Sequence, residues 1–116
     1  MEDRVNSIKL TDNDTCTTYE LDFSRDSVRF AEARKFEVDE VVKYPATKVP
    51  ELFYYSFRMH HRKMAKSQTD ALLEKMGGVT KELLERLVTL YNQAALSNTI
   101  AIDDDVAKND RVTVEL

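Results

Sequence analysis

The feature that most constrains this chain is a change of hydrophobic period near Ser24. In residues 7–10 polar and apolar side chains alternate, and in residues 15–23 Tyr19, Leu21 and Phe23 are apolar while Thr18, Glu20 and Asp22 are polar. A period of two sends successive side chains to opposite faces and marks half-buried strands. Between the runs lies Thr11-Asp12-Asn13-Asp14, whose side chains bond nearby backbone amides and tolerate turn dihedrals. The pattern predicts an N-terminal β-hairpin. Beyond Ser24 the spacing turns helical, so the expected fold class is α+β, a hairpin followed by a mainly helical body of about four helices.

Ser24 is placed to cap a first helix over residues 25–35, with Asp26 at its positive end and Val28, Phe30 and Ala31 supplying contacts. Phe36-Glu37-Val38-Asp39 and Tyr44-Pro45-Ala46 then interrupt the period, and Pro45 disfavours helix at Tyr44; a connector or a single helical turn belongs here. The next helix is expected to open near Thr47 with Pro50 in its first turn, and Val49, Leu52, Phe53, Ser56, Phe57, His60 and Met64 trace one face. That spacing places Phe53 and Phe57 in the core and leaves Tyr54 and Tyr55 partly off the stripe, as partner contacts.

A third helix begins at Ser67-Gln68-Thr69-Asp70 and stops at Gly77-Gly78. Thr80 caps the last helix, whose apolar residues form a face wider than a usual stripe. The reading divides that face in two. Leu83, Leu87, Leu90 and Ala94 turn toward the body, while Leu84, Val88, Tyr91 and Ala95, three and four residues apart, form a strip left over for another protein.

At 116 residues there is room for one core, assigned to residues 1–102. Residues 103–116 open with Asp103-Asp104-Asp105, while Val112, Val114 and Leu116 alternate with polar residues; an acidic tail without fixed place and a docked edge strand both fit. No internal repeat is evident. Cys16 is the single cysteine, which excludes an internal disulfide, and no apolar run is long enough to span a bilayer. A reducing cytoplasm is expected, with no membrane partner. The formal charge of -4 and the pI near 5.2 oppose binding to nucleic-acid phosphates.

No constellation has the spacing of a catalytic or metal site. His60 and His61 would point about 100 degrees apart on a helix, and acid partners at ligand spacing are lacking. Arg58, Arg62, Lys63 and Lys66 beside them read as a solvated helix end. Cys16 has no sequence-local base or cation to activate it, and Asp103 to Asp105 lack the glycine and terminal glutamate of a calcium loop. The third and fourth helices around the glycine pair imitate a helix-turn-helix, yet Glu82 and Glu85 at the start of the would-be recognition helix repel phosphates. The expectation is a protein without enzyme activity, catalytic residues, metal or cofactor, acting by binding another protein.

Taken in order, Tyr19-Glu20-Leu21-Asp22-Phe23-Ser24-Arg25-Asp26-Ser27-Val28, Arg34-Lys35-Phe36, Lys43-Tyr44-Pro45 and Leu52-Phe53-Tyr54-Tyr55-Ser56-Phe57-Arg58-Met59-His60-His61 resemble the tail assembly chaperones of long-tailed bacteriophages. The likeness covers roughly residues 19–76 and rests on element order and degenerate motifs. It departs at Lys35, where similar sequences lead one to expect glycine. The resemblance implies a morphogenesis protein of a phage or prophage, working in the bacterial cytoplasm and absent from the finished virion. Its client would be the tape measure protein, held until the tail tube assembles, and in many relatives a frameshifted longer form contacts the tail tube protein. An acidic helical domain with a broad last helix fits an amphipathic client, and equally fits a homo-oligomer interface. A small DNA-binding regulator and a structural tail-completion or connector protein are the alternatives.

Overall fold

The structure, a computed structural model, describes residues 6–96. Its strands β1 (Ile8–Asp12) and β2 (Thr17–Leu21) pair antiparallel, with Ile8 opposite Leu21, Lys9 opposite Glu20 and Leu10 opposite Tyr19. The turn occupies residues 13–16, two positions later than the sequence suggested. Thr11 belongs to the ladder, its hydroxyl 3.0 Å from that of Thr18, and Asp12 ends the strand by accepting the Asp14 amide at 3.0 Å. Register puts Ile8, Leu10, Tyr19 and Leu21 on the face toward the helices and Lys9, Thr11, Thr18 and Glu20 on the other.

Helix α1 (Arg25–Ala33) opens as expected at Ser24. The Ser24 hydroxyl accepts the Ser27 amide at 3.1 Å while the Ser27 hydroxyl accepts the Ser24 amide at 2.8 Å, a reciprocal box in which serine replaces the usual glutamate. The helix closes earlier than predicted because Lys35 adopts φ 66. There the Phe36 amide bonds the Ala31 carbonyl and the Lys35 amide the Glu32 carbonyl, a Schellman ending. Helix α2 (Glu40–Lys43) is the single turn anticipated in the connector, and it raises the count from about four helices to five.

Helix α3 (Pro45–Phe57) starts two residues before Thr47, so Pro45 takes the first turn and Pro50 falls in the second, inside the helix. It also stops before His60 and Met64, which therefore do not share its face. The Arg58 amide tightens to Tyr55, and the chain turns so that His61 reaches the hairpin. Helix α4 (Lys66–Met76) ends on Gly77 at φ 77, with the same pair of Schellman bonds that α1 makes over Lys35. Helix α5 (Lys81–Leu96) is capped by the Thr80 hydroxyl, which accepts the Leu83 amide at 3.1 Å.

Helix α3 is the hub, touching α1, α2, α4, α5 and β2. Phe53 and Phe57 are fully buried, as their spacing predicted, with Leu21, Val28, Val41, Leu52, Leu87 and Leu90 around them. Each such side chain contributes about 1.5–3 kcal/mol by leaving water. Aromatic edges link the layers: Tyr91 meets Phe23 at 5.2 Å and Phe36 at 5.5 Å between ring centres, and Phe36 meets Tyr55 at 5.1 Å. The boundary drawn at residue 102, the acidic run and the alternating segment after it lie outside the described residues.

Candidate functional site

On α5 the inner stripe is Leu87, Leu90, Tyr91 and Ala94, all buried, with Leu83 half-buried at its start. Tyr91 was expected on the outer strip and is instead 4% exposed. Positions 87, 90, 91 and 94 follow the i, i+3, i+4, i+7 rule of one helical face, so Tyr91 falls inside it. Its ring fills the space between Phe23 and Phe36. Burial, with a smaller push from Glu32, raises the Tyr91 phenol to about 12. Tyr55 is likewise core rather than surface, at 4% exposed, because helices surround α3 on several sides and widen its buried face. Burial raises its phenol too, reinforced by Glu51.

Leu84, Val88 and Ala95 remain half-buried on the outer flank of α5, with Leu96 37% exposed at its end. Tyr54 is half-buried and tilted against Tyr55. The structure thus keeps Leu84, Val88 and Ala95 together as one strip and leaves Tyr54 on a different helix.

Other apolar surface lies where the sequence reading did not look. Val42 is 83% and Tyr44 57% exposed, on either side of Lys43 where α2 gives way to α3. A signal existed: Val41 and Val42 are adjacent on one helical turn, so burying Val41 turns Val42 outward. Beyond Tyr44, a groove of about 660 Å³ runs between α3 and α4, lined by Pro50 and Leu73 and by Glu51, Asp70, Glu74 and Lys66.

The polar groups that looked most like chemistry instead fasten the hairpin. His61 Nε2 accepts the Glu20 amide at 3.0 Å, and His60 Nε2 lies 3.5 Å from the Glu20 carboxylate, so the two histidines converge on one residue. The Ser7 hydroxyl and then Lys9 hold the Glu20 carboxyl below its ordinary range. At the hairpin tip Lys75 reaches Asp12 at 2.9 Å and Asp14 at 3.3 Å, and its hydrogen bond lowers the Asp12 carboxyl. The cations near the end of α3 disperse to separate partners: Arg58 over the Phe30 ring at 3.7 Å, Arg62 to Asp26 and Lys66 to Asp70. Among the described residues no three His, Cys, Asp or Glu side chains gather as a metal site would need.

Helices α4 and α5 do not pack on each other among the described residues; α4 lies on α3, and α5 on α1 and α3. A helix-turn-helix needs its two helices packed together. The family described as "Domain of unknown function (DUF5055)" matches residues 1–116. The chain belongs to that family. DUF5055 carries no assigned activity in its description. No curated protein and no solved structure matches the chain.

Proposed function

We propose that this DUF5055 chain is a non-enzymatic tail assembly chaperone of a long-tailed phage or prophage, acting in the bacterial cytoplasm to keep the tape measure protein soluble. The observation that carries the reading is the apolar strip Leu84, Val88 and Ala95 on α5, which the core leaves half open. An amphipathic helix of a client would complete its burial, gaining affinity from apolar area while Glu85 and Lys81 at the rim affect mainly orientation and on-rate. The sequence resemblance points the same way. Its segments fall on β2, the ends of α1, the α2–α3 junction and α3, and of these elements α1 and α3 are the ones on which α5 rests.

The test is co-expression with the tape measure protein encoded beside it, comparing client solubility for the native chain and for a Leu84→Asp, Val88→Asp variant shown to be folded by circular dichroism. Loss of solubilisation in the variant alone is expected. Equal solubilisation removes the strip from the mechanism, and failure of the native chain as well moves the reading to a connector, which should persist in purified virions. The strip equally suits an isologous homodimer. Sedimentation of the native chain separates a dimer that closes the strip from a monomer that offers it.

A further inference from the structure

The two strands have unlike free edges. The Glu20 amide points away from β1, since it bonds His61, and the Asp22 amide continues that edge onto the Ser56 carbonyl at 3.0 Å. The body therefore closes this edge at Glu20 and Asp22. Lys9 stands opposite Glu20 and Thr11 opposite Thr18. In an antiparallel ladder, opposed residues share an orientation, so the amides and carbonyls of Lys9 and Thr11 face the far edge of β1. No hydrogen bond reaches that edge among the described residues. Beside it runs a groove of about 350 Å³, lined by Ile8 and Lys9 from β1 and by Glu82, Leu83 and Arg86 from α5.

We propose that this edge is a strand-addition site, and that its occupant is an extended segment of a partner protein that alternates apolar and acidic side chains. A third strand on β1 would pair with the outward groups of Lys9 and Thr11, set its apolar side chains beside Ile8 over Leu83, and turn the others to the polar face. Charge selects among such strands. Lys9 lies on the polar face of the strand an added segment would meet, whereas its ion-pair partner Glu20, 3.2 Å away, lies one strand further in, and Arg86 stands with Glu82 on the groove wall. A carboxylate opposite Lys9 is attracted, and a lysine there is repelled. The same Lys9 discourages a second copy from pairing β1 with β1 in the register that sets the two lysines opposite. The site is separate from the α5 strip and stands or falls independently of the chaperone reading.

The experiment uses the full chain and an eight-residue peptide alternating valine with glutamate and threonine, observed by amide chemical shifts and hydrogen exchange. Binding is expected to shift and protect the Lys9 and Thr11 amides and to leave those of Glu20 and Asp22 unchanged. Lys9→Glu should weaken it roughly threefold to fivefold, the effect of one exposed ion pair, and a peptide carrying lysine for glutamate should recover the loss. Thr11→Pro, which removes one outward donor while keeping the backbone bonds between β1 and β2, should weaken it further than Thr11→Val, which loses only the hydroxyl contact to Thr18. No binding at millimolar peptide, binding that leaves Lys9 and Thr11 unchanged, or failure of the charge swap would each overturn the proposal. So would Lys9 and Thr11 amides already protected in the free chain. Protection lost on removing residues 97–116 would make the occupant the chain's own segment, and protection that grows with protein concentration would make it a second copy.

Discussion

The hairpin and the α1–α3–α5 layer are held by different physics. Between the helices the contacts are aromatic edges and fully buried aliphatics, which have no polar competitor in water. Apart from the buried Leu21, the half-buried Ile8 and Leu10, and the Tyr19 ring, which meets Phe57 at 5.5 Å, the hairpin is fastened by an imidazole on one amide, a lysine on two carboxylates and a backbone bond to Ser56. Water competes for every one of these polar ties. The helical layer should therefore set global stability, and the hairpin should open at lower cost.

The largest test strikes the layer. Phe57→Ala removes a ring buried against Phe53 and Tyr19 and is expected to cost about 3–5 kcal/mol in chemical denaturation. A cost under about 1 kcal/mol would erase the contrast. Next, the raised Tyr91 phenol favours the neutral form in the fold. Its stabilisation is present below the ordinary value of 10.0 and is lost as pH rises through about 12, on the order of 3 kcal/mol. Tyr91→Phe should remove that alkaline loss, seen as a smaller drop in stability between neutral and high pH than the native chain shows.

His61→Phe keeps a ring against Tyr19 and Phe57 but leaves the Glu20 amide without its acceptor, at about 1–2 kcal/mol. Hydrogen exchange should locate the loss in β2 and spare α5; uniform loss would make the hairpin part of the main cooperative unit. Lys35→Gly should stabilise by about 1 kcal/mol, since a left-handed residue with a Cβ pays strain that glycine does not. The smallest effect is at the tip. Asp12 and Glu20 have lowered carboxyl values, so their contribution is present above the ordinary carboxylate range and fades as pH falls below it through the lowered values. Lys75→Ala should flatten the Asp12 part of that acid dependence, and molar salt should mimic it.

The change of period at Ser24, the serine and threonine caps, the Gly77 stop and the buried Phe53 and Phe57 were legible because each follows from local chemistry or single-element spacing. Lys35 was legible only as a departure from an expected glycine; φ 66 supplies the reason. What the sequence could not reveal depends on neighbours. Tyr55 and Tyr91 are core because α3 has packed elements on several sides and because Phe36, in the connector, folds between them. The segment that leaves α3 is tied to β2 by a bond 41 residues away in sequence, from the Glu20 amide to His61, which no periodicity encodes. Of the expected partner strip, Leu84, Val88 and Ala95 share one flank, whereas Val42 and Tyr44 emerged only once α2 had a buried side.

The hairpin turn carries one more consequence. Cys16 is exposed there, at φ 56, and it is the chain's single sulfhydryl. A maleimide dye would attach at one defined place without mutagenesis, beyond the strand ladder and away from the α5 flank. Its emission would report the opening of the hairpin separately from unfolding of the helices, giving the native sequence a built-in spectroscopic reporter of its more weakly fastened half.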